Sequence, residues 1–315
     1  MLRQGNGFSE TAWLVWLSGA GCDGCTQALL GAADPSLEDL LLGVIPDAPR
    51  LALLHPLFGP HFNSQFKSSS RSSRASGALN PIFDASWQPG ERYEGLLRRA
   101  ARGELTPFIV VTDGAFYAPP LIGSFAQLGT DRTGQPLTAS DWLSLLAPRA
   151  EAVLAVGSCA SFGGLPAAVG SDDSGVVQSA AQLLGREFKS RAGLPLLRVP
   201  GCAPAGEGVV ETLVSVFLHL AQLVPLELDE WQRPRWLYSK ATSPAPPRAN
   251  YAQAADFDAA RQMSVLCGVP ALGWTRGLGG CTRVGGACIA CTETDFGDQF
   301  LPLARADAAL AGPSG

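Results

Sequence analysis

Five short apolar runs, at residues 13–17, 51–55, 108–112, 152–156 and 194–199, constrain this chain more than any other feature of it. They do not alternate apolar with polar residues, as strands with one wet face would, and glycine and proline bound them. Continuous runs of this length read as strands covered on both faces, the habit of a parallel sheet. Helical patterns lie between them: one opens at 26–31, one covers 92–102 with Leu96, Leu97 and Ala100 on one face, and one covers 139–146 with Ser140 as the expected N-cap. A fourth, at 208–223, places Val209, Leu213, Val216, Phe217 and Leu220 toward a core. Strands alternating with helices predict an α/β, doubly wound parallel sheet over roughly residues 10–225.

Two passages interrupt the alternation. NSQFKSSSRSSRASG at 63–77 is rich in Ser and Arg and reads as a solvated loop. SPAPPRANYAQAAD at 243–256 reads as the link into a second unit, so the expected domains are 1–240 and 241–315. The second unit is glycine-rich with little strand or helix pattern. A tail of that kind buries too little core to stand alone, and needs a metal, a cluster or the flank of another domain.

Composition narrows the function. Apolar residues make up 46% of the chain and charged ones 16%, as in a globular protein with part of its surface covered by a partner. A net charge of −5 argues against nucleic acid or an anionic membrane as partner. No run reaches the ~20 apolar residues of a membrane span. The N-terminus lacks a twin-arginine pair, and its apolar core, residues 12–17, is short for a secretion signal. The chain is expected to be cytoplasmic. Its eight cysteines are then more fitting as ligands than as a disulfide framework.

The placement of the first four cysteines supports that. Cys22 and Cys25 follow the first run in SGAGCDGC, Cys159 follows the fourth in AVGSCASFGG, and Cys202 follows the fifth in VPGCAPAGEG. In open parallel sheets ligands sit beyond the carboxyl ends of the strands, which share one edge, so four thiolates distant in sequence can meet there. Gly21, Gly24, Gly157, Gly163 and Gly201 lie close by, and glycine lets backbone approach a ligand closely. Four thiolates suit Zn²⁺ or a 4Fe–4S cluster. One local pair joined by two distant singles favours a cluster on a preformed fold. Cys267, Cys281, Cys288 and Cys291 form a second set in the tail, again open to a cluster or zinc. Asp113, at the end of the third run, is placed near the first set or at a partner interface. Glu207 and Glu211, four apart on one helix, are expected on a solvated face.

Taken together, GCDGCTQALL, AVGSCASFGGLPAA, VPGCAPAGEGVVETL and CIACTETDFGD resemble, in order, the motifs of the small, electron-transferring subunit of nickel–iron hydrogenases. The resemblance implies a flavodoxin-like domain followed by a small, irregular, Cys-rich iron–sulfur domain. It implies a proximal 4Fe–4S cluster on Cys22, Cys25, Cys159 and Cys202, facing the nickel–iron centre of a large subunit that carries out H₂ ⇌ 2H⁺ + 2e⁻. No catalytic residue is expected on this chain.

All three histidines, His55, His61 and His219, precede the linker, so the His-ligated distal cluster of many members is not expected. The simplest count is two clusters. The second, on Cys267, Cys281, Cys288 and Cys291, is 4Fe–4S, or 3Fe–4S if Cys267 is free. An external electron carrier would dock near it, and a dimer of heterodimers is left open. The alternatives are a hydrogen-sensing relative, a complex I-like iron–sulfur subunit and a zinc-stapled interaction module.

Overall fold

The computed structural model describes residues 3–4, 7–8, 11–56, 93–118, 127–131, 133–169, 177–238, 291–294 and 296. Five strands form one all-parallel sheet: β1 (Thr11–Ser18), β2 (Arg50–Leu54), β3 (Phe108–Asp113), β4 (Val153–Val156) and β5 (Leu196–Val199). Their order across the sheet is β2-β1-β3-β4-β5. This is the flavodoxin-like order, with its topological switch between β1 and β3. All five strand expectations hold to within two residues at each end.

The reason these runs are uninterruptedly apolar is visible in β1. Ala12, Leu14 and Trp16 point into one core, and Trp13, Val15 and Leu17 into another on the opposite face. Successive side chains of a strand leave opposite faces, so a sheet covered on both sides has no place for polar alternation.

The first core is closed by helices α1 (Gly24–Leu30) and α2 (Leu37–Leu42) together with the long helix Gly206–Leu220. The second is closed by α3 (Tyr93–Ala101) and α4 (Ala139–Leu146). Short helices follow β4, α5 (Ser158–Phe162) and α6 (Gly164–Val169), then α7 (Ala180–Leu184). The long helix is therefore α8, and α9 (Arg235–Tyr238) is the last helix among the described residues. No helix among the described residues is long and apolar enough to cross a membrane.

Three local expectations change. The N-cap of α4 is Thr138, not Ser140: the Thr138 hydroxyl accepts from the Asp141 N–H, and the Asp141 carboxylate accepts from the Thr138 N–H at 2.8 Å. Ser140 lies inside the helix, and its hydroxyl donates to the Tyr117 carbonyl at 3.3 Å. Helix α2 was not expected from its six residues, although Ser36 and Asp39 carry a capping box there. Glu207 is buried rather than solvated; it stands in the first turn of α8, where its Oε1 accepts from the Ala33 N–H at 3.4 Å. Burial and the charges of Glu207 and Asp34 raise the Glu211 carboxyl above its ordinary pKa.

The expected boundary at 240/241, both interrupting passages, and Cys267, Cys281 and Cys288 lie outside the described residues.

Candidate metal centre

The loops after β1, β3, β4 and β5 meet at the carboxyl edge of the sheet. Gly19 N–H donates to the Asp113 carbonyl at 2.8 Å, and Ala20 and Ala115 pair across the β1 and β3 loops in both directions. On the other flank, Gly157 N–H donates to Val199 O at 2.9 Å and Ser158 N–H to Gly201 O at 3.1 Å, which ties the β4 loop to the β5 loop. Together with the β3–β4 pairing within the sheet, these bonds bring together the three chain segments that carry Cys22 and Cys25, Cys159, and Cys202.

The four thiols follow from this. Cys22 and Cys202 are exposed, and Cys25 and Cys159 are partly buried. The Cys25 thiol lies 3.6 Å from the Val156 carbonyl, which joins the β1 loop to the end of β4. Burial pushes the Cys25 thiol well above the ordinary range, and the charges of Asp113, Cys159, Cys22 and Cys202 push it the same way. The Cys159 thiol is pushed up to about 11, by burial first and then by Cys202 and Cys22. Charges on Cys22 and Cys202 thus reach both Cys25 and Cys159, and that of Cys159 reaches Cys25. Four thiolates can share such a site only when positive charge stands among them. Among the described residues, no three His, Cys, Asp or Glu side chains converge tightly enough to hold a single metal ion.

Glycines shape the space beside the sulfurs. A Cβ on Gly157 would stand 2.4 Å from Cys25 Sγ, one on Gly164 3.0 Å from Cys159 Sγ, and one on Gly24 3.3 Å from Cys22 Sγ. The positions beside Cys25 and Cys159 also have positive φ and are open to glycine alone, while the one beside Cys22 is tight for a larger residue. The pairing differs from the one expected by proximity in sequence. Gly157, two residues before Cys159, backs Cys25 from a different loop, and Gly164 rather than Gly163 backs Cys159. A four-thiol donor set with backbone pressed close is what a 4Fe–4S cluster requires, so the residues present fit the group that the motifs imply.

Buried polar groups stand behind the site. Asp113 is buried and accepts from Trp16 Nε1 at 3.1 Å. Burial raises its carboxyl above the usual range, while the hydrogen bonds from Ser18 and Trp16 work against that shift. This places it near the first cysteine set, since it acts on both Cys25 and Cys159. Thr26, next to Cys25, pairs its hydroxyl with buried His55 Nε2 at 3.1 Å. Neither Trp16 nor His55 carries a motif signal, because nothing local in the sequence says what an aromatic ring at a strand end will touch.

A family model described as NADH ubiquinone oxidoreductase, 20 Kd subunit, matches residues 22–216, a span that begins at Cys22 and takes in Cys25, Cys159 and Cys202. Among solved structures, the chain is 32% identical to an actinobacterial-type NiFe-hydrogenase from Ralstonia eutropha H16, covering 93% of this chain and 81% of that one, with a TM-score of 0.71. The chain belongs to this family, as a nickel–iron hydrogenase small subunit. Such a small subunit is also what the periplasmic [NiFeSe] hydrogenase small subunit of Desulfomicrobium baculatum is named; it is 24% identical over 314 residues, 94% of this chain and 87% of the relative. The uptake hydrogenase small subunit of Azotobacter chroococcum is 25% identical, covering 91% of this chain and 70% of its own length. Membership makes this small subunit one part of an oxidoreductase complex with a large-subunit partner, and implies iron–sulfur clusters. A complex I-like function is not favoured: the relatives named here are hydrogenase small subunits.

Proposed function

We propose that Cys22, Cys25, Cys159 and Cys202 bind a proximal 4Fe–4S cluster, and that Cys267, Cys281, Cys288 and Cys291 bind a second cluster. The first assignment rests on one observation above all: thiols from three loops gather at a single edge of the sheet, with a glycine position close beside Cys22, Cys25 and Cys159, and the charges of Cys22 and Cys202 reach both Cys25 and Cys159. Bound there, a cluster supplies reversible one-electron storage. This chain's residues hold it, shield its inner side with the sheet, and leave Cys22 and Cys202 on an exposed face. That exposed face suits contact with the large subunit, whose nickel–iron site would carry out H₂ ⇌ 2H⁺ + 2e⁻.

Electrons would leave through the second cluster to an external carrier docking around residues 267–298. A cytoplasmic setting belongs to the same proposal, supported by the reading of the eight cysteines as ligands rather than as a disulfide framework. One relative is named periplasmic, so cell fractionation is the check on this part.

The main test is anaerobic co-purification with the large subunit, followed by measurement of iron, acid-labile sulfide, zinc and nickel per heterodimer. About eight small-subunit irons with matching sulfide are expected, beside nickel in the partner. About seven would indicate a 3Fe–4S second cluster and a free Cys267. Zinc without sulfide would refute the redox assignment of these cysteines.

A further inference from the structure

Ser158 does more than precede a ligand. Its side chain is buried, its oxygen accepts from the Gly201 N–H at 3.0 Å, and its hydroxyl donates to the carbonyl of Cys291. Ser158 is bonded to Cys159, and Gly201 to Cys202, so one hydroxyl joins the backbones beside two proximal ligands to a ligand of the second set. We propose that Ser158 is the positioning residue that couples the two clusters, setting the approach of the Cys291 segment to the Cys159 and Cys202 loops through this three-way hydrogen bond. The proposal rests on the two-cluster reading above. With both clusters bound, one electron would leave one and reduce the other, while Ser158 would only hold the segments that carry their ligands. No bond breaks at Ser158, and its hydroxyl keeps its proton throughout.

A separate anchor makes the role of Ser158 testable. Arg233 Nη1 donates to the carbonyl of Thr292 at 2.9 Å. Its guanidinium is held by Asp229 at 2.7 Å and lies 5.2 Å from the centre of the Tyr238 ring. The Tyr238 hydroxyl in turn donates to the Pro200 carbonyl at 2.8 Å. Arg233 therefore fastens the same segment to the same β5 loop without touching Ser158. Removing the Ser158 hydroxyl leaves this clasp in place while it breaks the link between ligand loops.

The test compares Ser158→Ala, Ser158→Thr and Arg233→Met in the anaerobic heterodimer by iron content, amide hydrogen exchange at residues 291–294, and the magnetic interaction between reduced clusters in the EPR spectrum. Ser158→Ala is expected to keep its iron, to raise exchange in the segment roughly tenfold, the equivalent of one buried hydrogen bond, and to weaken the magnetic splitting. Ser158→Thr, which keeps the hydroxyl, is expected to match the unmodified protein. It also carries the test if the alanine variant does not accumulate, since a loosened segment in the threonine variant overturns the proposal. Arg233→Met is expected to raise exchange while the splitting persists.

Unchanged splitting in Ser158→Ala, or splitting lost only in Arg233→Met, overturns the role of Ser158 and leaves the two-cluster reading intact. Iron for a single cluster in the unmodified heterodimer overturns both.

Discussion

Gly157 and Gly185 offer a matched pair in which one clash differs. Gly157 has φ 86° and ψ 156°, and Gly185 has φ 85° and ψ 155°. That region of backbone space is open essentially to glycine alone, and a side chain there costs about 1–3 kcal/mol. A Cβ on Gly185 would meet nothing within 4 Å, whereas one on Gly157 would stand 2.4 Å from Cys25 Sγ. Gly185→Ala therefore carries only the backbone penalty. Gly157→Ala adds overpacking of about 1–3 kcal/mol, and that load falls directly on a proposed ligand sulfur. The assay is the denaturation midpoint of the purified heterodimer together with its iron content, both under anaerobic conditions. Gly185→Ala should lose some stability and keep all its iron. Gly157→Ala should lose about twice as much stability and the iron of one cluster. Equal destabilisation with equal iron would show that the space beside Cys25 is not what demands glycine, and would refute the cradle argument.

Two more outcomes are expected elsewhere in the fold. Burial lowers the His55 imidazole from 6.5 to about 4, so between those pH values the unfolded chain takes up a proton that the folded chain refuses. His55 thus contributes fully above pH 6.5 and takes away about 3 kcal/mol as pH falls to 4; His55→Leu should flatten that loss in denaturation midpoints followed against pH. Thr138→Ala should destabilise by about 1 kcal/mol through loss of the α4 cap, and Ser140→Ala by clearly less; equal effects would argue against Thr138 as the cap.

Much of the architecture was legible because burial on both faces leaves a mark at every position of a strand. Runs such as 108–112 and 152–156 can hardly be anything but inner strands, and a parallel sheet then gathers its strand ends at one edge. The grouping of Cys22, Cys25, Cys159 and Cys202 followed from that alone. Capping was legible in kind but not in place. Thr138 and Ser140 are both hydroxyl residues near a helix start, and only backbone geometry tells which one faces a free N–H. Helix α2 carried its capping box in plain sight, at Ser36 and Asp39, but six residues are too few for the apolar period to register.

The sequence by itself determined the sheet, its doubly wound cover and the set of thiols at its edge, because each of these is encoded by residues within a single run or turn. Tertiary structure alone decided what stands beside what: Gly157 against Cys25, His55 against Thr26, Glu207 under Ala33, and the Ser158 hydroxyl between Gly201 and Cys291. Those pairs lie 29 to 174 residues apart, or join three segments at once. A hydrogen bond or a close approach leaves no periodic trace in either partner's neighbourhood. It exists only when the sheet has set the strand ends side by side.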